Sequence, residues 1–262
     1  MKGRIQRLIW DLNRFGLTPG KLIARAINRT EPRVVVISVP KAGTHLVERL
    51  LCLHPRMYRP LVPTLHSHNV ERYGGLFSIL NRLRPGGILI THLHYSKEVN
   101  NLLINSGVKV IVVTRDPRDI VVSQAFYVAR NPEHHYYKYA VNLSLKERLY
   151  RAIVGHPEHG YPSIQQTLEW FAGWLETEYF LIRYEQAIDD SHRSHILRDL
   201  FAYLGMQLSN EYIAHISRRA ISSASPTFRK GDSGEWRQYL DEELYELFLR
   251  TCGNLMEKYG YE

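Results

Sequence analysis

The stretch "VVVISVPKAGTHLVERLL", residues 34–51, decides how this chain is read. Val34 to Val39 is a β-branched run of the kind found in strands covered on both faces. Leu46, Val47, Leu50 and Leu51 then recur at helical spacing and form one apolar stripe. Between them lie Pro40, Lys41, Ala42, Gly43, Thr44 and His45, a tight loop. Gly43 lets the backbone approach an anion. Thr44 and His45 stand where free N–H groups and the helix dipole favour negative charge, and Lys41 adds a point charge. The content is that of a phosphate-gripping loop, with a mere strand-to-helix turn bearing a surface lysine as the plainer alternative. A Walker A loop needs GxxxxGK followed by Ser or Thr. Here the lysine precedes the glycine, which disfavours a kinase or NTPase.

Working outward, a second strand begins at Ile88 to Ile90 and ends at "THLH", residues 91–94. A third, Val108 to Val113, ends at "TRDPRD", residues 114–119, with a helix expected from about Asp119. Tyr179 to Tyr184 is a fourth. Residues 54–87 read as loops with a short helix near 75–83, and residues 130–162 as long loops with one helix. Ser163 to Thr177 has a helical pattern, and the remainder is mostly helical, broken by residues 222–236. Strands alternating with helices imply an α/β fold, a parallel sheet with helices on both faces. Ligands of such sheets bind beyond the carboxyl ends of the strands. "PKAGTH", "THLH", "TRDPRD" and "RYE" all fall at those ends.

Residues 1–30 are expected to form a separate basic helical segment ahead of one domain over residues 31–262. Ile5, Leu8, Ile9, Leu12 and Phe15 fall at helical spacing. Thr18 can cap a second helix with Pro19 at its first position, and Leu22, Ile23, Ala26 and Ile27 would be its buried stripe. Seven basic residues here face one acid, Asp11. An apolar stripe beside a basic face is the pattern of an interfacial membrane helix, so peripheral membrane contact is one reading. Packing of the stripe on the domain is the favoured one.

The whole chain carries a formal net charge of +8, which favours anionic partners such as nucleic acid, anionic lipid or a phosphorylated cofactor. No nucleic-acid motif is visible, and no nucleic-acid partner is expected. Cys52 and Cys252 lie at opposite ends of the chain, in no CxxC or zinc spacing, so buried thiols in a reducing, cytoplasmic compartment are expected and no metal site. No run approaches the roughly 20 apolar residues of a membrane span.

Two further segments carry charge suited to phosphate. In "TRDPRDIVVS", residues 114–123, Arg115 ends a strand, Asp119 can cap the next helix, and Arg115 with Ser123 could share one phosphate. In "FRKGDSGEWR", residues 228–237, Arg229 and Lys230 adjoin Gly231 and Gly234, which permit an unusual loop path.

Together these segments resemble the sulfotransferases that use 3′-phosphoadenosine 5′-phosphosulfate (PAPS). The family's PKxGT is Pro40 to Thr44, its RDPRDxxVS is Arg115 to Ser123, and its RKGxxGxW is Arg229 to Trp236. The "THL" at residues 91–93 and "YE" at residues 184–185 also match. The resemblance implies a sulfotransferase fold and PAPS as co-substrate without a metal. It places Lys41, Ala42, Gly43, Thr44 and His45 on the 5′-phosphosulfate. It places Arg115, Ser123, Arg229, Lys230 and Gly231 on the 3′-phosphate and Tyr184 on the adenine. The catalytic group would be Lys41, Ser123 and His92, with His92 as base and His94 its nearby competitor. The acceptor would be a hydroxyl on a small molecule, lipid or carbohydrate, walled by residues 54–85 and 130–162. Leu46 stands where many cytosolic members have Trp, Ile90 where many have Lys, and His45 replaces a second Thr, as in a bacterial or otherwise divergent member. A kinase with an unusual loop and a basic nucleic-acid-binding module are the alternatives.

Overall fold

The structure is a computed structural model and describes residues 2–27, 30–221 and 232–262, with side chains from residue 7 onward. Five parallel strands form its centre: β1 (Val34–Ser38), β2 (Leu65–His66), β3 (Ile88–His92), β4 (Lys109–Thr114) and β5 (Phe180–Arg183), in the order β2-β3-β1-β4-β5. Val36 of β1 stands between Ile90 of β3 and Ile111 of β4, and β1 is buried along its whole length. That is why this strand is β-branched rather than alternating.

Successive residues of β1 feed opposite layers. Val35 and Ile37 join Val110 and Val112 in one core, packed by α4 (Gly75–Arg82), α6 (Pro117–Val128), α8 (Leu145–Val154), α9 (Ile164–Ala172) and α14 (Glu242–Tyr259). Val34 and Val36 join Ile90, Ile111 and Ile182 in the other, packed by α3 (Thr44–Cys52), α11 (Asp190–Tyr203) and α12 (Asn210–Ala220). Helix α5 (Lys97–Asn105) adds Leu103 to the first core, and α7 (Tyr137–Ala140), α10 (Tyr184–Ile188) and α13 (Trp236–Tyr239) are shorter connections. The expected α/β architecture is present. Both cysteines are fully buried on helices, in α3 and α14.

Three sequence readings need correction. Residues 54–87 contain a strand, β2, too short at two residues to show a period. Asp119 does not cap the helix after β4. Asp116 does, accepting from the Arg118 N–H, because Pro117 takes the first helical position. The third correction concerns the N-terminus.

The two N-terminal helices are present, as α1 (Lys2–Arg14) and α2 (Pro19–Ile27). Their apolar stripes are not buried. Leu8, Ile9 and Leu12 of α1 and Leu22, Ile23 and Ile27 of α2 are 38–73 % exposed, and Ala26 is exposed as well. The helices dock through polar atoms instead. Lys21, 3 % exposed, donates through Nζ to the carbonyls of Cys52 and Met57, 2.6 Å each. Asn13 Nδ2 donates to the same Cys52 carbonyl at 3.0 Å. The Cys52 carbonyl is an orphan acceptor at the end of α3 and that of Met57 lies in the loop beyond it, and the N-terminal segment satisfies both. Arg14 Nε lies 2.6 Å from Glu48 Oε1, and the guanidinium of Arg25 covers the Tyr58 ring at 3.9 Å. Burial draws the Lys21 ammonium down to about 8, so it remains mostly protonated at neutral pH.

Lys21→Ala should therefore lower stability by about 1.5–3 kcal/mol, the range for charged hydrogen bonds removed from buried partners. Urea unfolding measures it as a lower midpoint at unchanged slope. A loss below about 0.5 kcal/mol would show that this anchor does not hold the helices.

Candidate active site

All strands point their carboxyl ends the same way, and a cavity of about 930 Å³ opens there. Its first wall is the loop after β1. Lys41 adopts φ 72 and Gly43 φ 98, both left-handed. The first is strained for a residue with a side chain, a feature that clusters at functional sites. Gly43 has no alternative residue, because a Cβ there would run into the Tyr184 ring. No side chain caps the N-terminus of α3, so its first N–H groups are left to whatever enters the cavity.

The expected loop residues separate into two roles. Lys41, Gly43, Thr44 and His45 line the cavity. Ala42 does not. It is fully buried, and its N–H goes to the Val39 carbonyl at 3.0 Å, which closes the turn. The Lys41 ammonium lies over the Tyr127 ring, 3.7 Å from its centroid. Thr44 Oγ1 is 2.6 Å from Ser38 Oγ, which fastens the helix start to the strand end. His45 approaches Glu48 at 3.6 Å.

Beside this loop stands His92 at the end of β3. Its Nδ1 is 2.6 Å from the Ser38 carbonyl. A carbonyl only accepts, so Nδ1 carries the proton and Nε2 is left with its lone pair. Burial pulls this imidazole down to about 3 from 6.5. The Ser38 carbonyl opposes that shift, while His66, His45 and Lys41 add to it. His66 and His134 are likewise lowered to about 4, by burial first and then by His68 and His94 in the one case and by His135 and Lys41 in the other. The ring of His66 lies 4.9 Å from that of His92. His94 also lines the cavity but stacks on Trp170 at 4.3 Å.

The third wall comes from β4 and β5. Arg115 lies over the same Tyr184 ring that abuts Gly43, 4.3 Å from its centroid. Its Nη2 donates to the Asp232 carbonyl at 3.0 Å and lies 3.6 Å from Asp119 Oδ2. Asp119 accepts from the N–H groups of Gly234 and Trp236 at 2.7 and 3.0 Å. Its buried carboxylate thus pins residues 232–236 rather than capping a helix. Arg115, Ser123 and Tyr184 all line the cavity. Arg229, Lys230 and Gly231 lie outside the described residues. On either side of them, Ile221 lines the cavity and Asp232 is bonded to Arg115.

The expected acceptor walls contribute Thr64, His66 and His68 from one segment and His134, His135 and Tyr161 from the other. Tyr127, Trp170 and Phe171 line the cavity too and were not anticipated. They belong to helices whose apolar residues read as ordinary core. The sequence also offered no metal-ligand spacing. Among the described residues, His156, Glu158 and His159 hold ligand atoms within 4.8 Å of one another, outside the cavity lining.

The model of the family described as "Sulfotransferase domain" matches residues 31–260. Among solved structures, the chain is similar to the mouse sulfotransferase SULT7A1 complexed with PAP, at 21 % identity over 88 % of each chain and a TM-score of 0.62. It is similar to retinol dehydratase in complex with androsterone and the inactive cofactor PAP, at 20 % identity over 91 % of this chain and 85 % of that one, TM-score 0.57. A second retinol dehydratase structure, with retinol and PAP, gives 18 % identity over 91 % and 86 % and a TM-score of 0.59. At these identities the likeness is one of fold. No curated protein matches the chain in sequence.

Gly43→Ala combines a left-handed φ with a collision against Tyr184. It should cost about 1–3 kcal/mol of stability and abolish the thermal stabilisation given by adenosine 3′,5′-bisphosphate. Unaltered binding of the bisphosphate would remove this loop from the anion site.

Proposed function

The chain belongs to the sulfotransferase-domain family, and from that premise we propose that it moves a sulfuryl group from PAPS to a hydroxyl acceptor, with His92 as general base and Lys41 as the cation at the leaving oxygen. The observation that carries the reading is the tautomer of His92, whose Nδ1–H is committed to Ser38 and whose Nε2 lone pair is free to take a proton.

The residues present fit a multiply charged nucleotide donor. The uncapped start of α3, with Lys41, Thr44 and His45 around it, suits the phosphosulfate end. Arg115 and Ser123 suit a second phosphate, and Tyr184 offers a ring face for a base. PAPS, when bound, supplies a sulfuryl group on a good leaving phosphate. His92 takes the acceptor's hydroxyl proton as the oxygen–sulfur bond forms. The old sulfur–oxygen bond breaks, and negative charge is left on the phosphate oxygen. Lys41 and the α3 N–H groups stabilise that charge. To reach it, the ammonium exchanges the Tyr127 face for the anion, a favourable trade since a cation–π contact is worth only about 0.5–2 kcal/mol. The acceptor is a small-molecule, lipid or carbohydrate alcohol or a phenol, set against Trp170, Phe171 and the neutral imidazoles.

Asp116 speaks against the kinase alternative. A kinase needs an acid free to hold magnesium near a strand end, and Asp116, just beyond β4, is taken up by capping α6 and by Arg118, 2.9 Å away.

His92→Ala should lower kcat by roughly 10²- to 10⁴-fold. Lys41→Ala should suppress transfer while leaving the fold intact, because its contribution lies in the transition state. Near-normal kcat in either variant contradicts the assigned role, and inactivity of His94→Ala with an active His92→Ala would exchange the two histidines.

The pH profile gives a separate check. Since burial holds His92 near 3 in the free enzyme, kcat/KM should stay flat between about pH 5 and pH 8. Bound phosphosulfate favours the imidazolium, so the acid limb of kcat should lie higher than that of kcat/KM. A kcat/KM limb at 6.5, the ordinary histidine value, would mean that His92 is not the free-enzyme base.

A further inference from the structure

The N-terminal helices are amphipathic in the wrong direction for a soluble packing element. The Cys52 carbonyl receives a hydrogen bond from Asn13 at the end of α1 and another from Lys21 in the first turn of α2. Both helices are therefore tied to the domain at one point. Left uncovered on them are Leu8, Ile9 and Leu12 from α1 and Leu22, Ile23 and Ile27 from α2, each 38–73 % exposed. Contiguous apolar surface of this kind marks an interaction face.

Charge says what covers it. Residues 1–30 hold seven cations against one acid, and thus six of the eight net positive charges of the whole chain. Arg14, Lys21 and Arg25 are engaged with the domain. Arg7 is exposed on α1, and Lys2, Arg4 and Arg29 belong to the same segment in sequence. The setting adds more. Arg49 lies over the Trp10 ring of α1 at 4.3 Å and donates to the carbonyl of Arg219, which follows another exposed arginine, Arg218. An apolar face on a segment this rich in cations is complementary to acyl chains beneath anionic headgroups. A second copy would bring six like charges against six, and like-charge contact is a strong deterrent to association.

We propose that α1 and α2 form a platform that seats the enzyme on the surface of an anionic lipid bilayer, with their apolar side chains at the headgroup–acyl boundary and the cations that the domain does not engage, Arg7 among them, on the headgroups. Neither helix spans the bilayer, since no helix among the described residues is long and apolar enough to do so. The polar face that the domain covers leaves the apolar face available without any rearrangement. Leu46, Arg49 and Ile221 line the cavity beside α1, so a seated enzyme would hold the cavity close to the membrane plane.

The test is vesicle co-sedimentation of the full chain at low and high salt. Vesicles of phosphatidylcholine with about 30 % phosphatidylserine are compared with phosphatidylcholine alone. Ile9→Gln/Ile23→Gln alters two exposed positions without changing charge, and its melting temperature and bisphosphate stabilisation serve as fold controls. The unaltered chain should pellet with the anionic vesicles, less so as salt rises, and the double variant should partition at least about tenfold more weakly. No pelleting at low salt would overturn the proposal. So would equal binding by the double variant, the signature of a basic protein held by charge alone. A concentration-dependent dimer that the double variant dissolves, with no vesicle binding, would assign the face to a second copy instead.

Discussion

The contact between Gly43 and the Tyr184 ring sets the terms for the rest of the site. Gly43 lies in the loop that follows β1 and Tyr184 directly follows β5, strands that are not neighbours, since β4 lies between them. Arg115, at the end of β4, stacks on the same ring. One tyrosine thus gathers three strand ends at the distance of a van der Waals contact, and only a residue without a Cβ can meet it. The left-handed turn at Lys41 and Gly43 follows from that closeness. So does the direction of α3, whose uncapped N-terminus is turned into the cavity.

A second layer of order comes from acids that never reach the cavity. Glu48 is buried under α3, where burial would raise its carboxyl. The His45 bond and the charges of Arg59 and Arg14 outweigh that and hold it below its ordinary value. Asp119 does similar work for residues 232–236, and Glu185 accepts from the Asp116 N–H and the Tyr261 hydroxyl. With these three carboxylates committed behind the walls, the cavity faces its ligand with Lys41, Arg49, Arg115, N–H groups and imidazoles, and among its described lining residues Glu133 is the one acid. That balance admits a polyanion and still leaves a lone pair on His92.

Much of this could be read from residues 34–51, because a buried strand, a glycine-hinged loop and a helical stripe each leave a local trace. The strand-end motifs were legible for the same reason. What escaped the sequence depended on partners far away in the chain. β2 has too few residues for a period. Asp119 reads as a cap unless Pro117 is taken as the first residue of the helix, which moves the cap to Asp116. Tyr127, Trp170 and Phe171 look like core until the topology turns one side of them to a cavity. The N-terminal stripe was misassigned for a deeper reason: periodicity tells that a helix has two faces and is silent about which one the protein covers. The carbonyls of Cys52, at the end of α3, and of Met57, in the loop beyond it, attracted the polar face, and no property of residues 1–30 alone could announce them.

That inverted docking has a practical side for anyone preparing the enzyme. The segment's two faces pull handling in opposite directions. Cutting the chain ahead of the domain would remove an exposed apolar surface, which favours concentrated solutions, but also most of the net charge that keeps molecules apart. The same cut would strip the donors from a helix-end carbonyl and a loop carbonyl and one of the cations from a buried carboxylate. Shortened preparations should be shorter-lived at the bench, and polar replacements of the exposed apolar residues remove the sticky surface while keeping both the charge and the anchors.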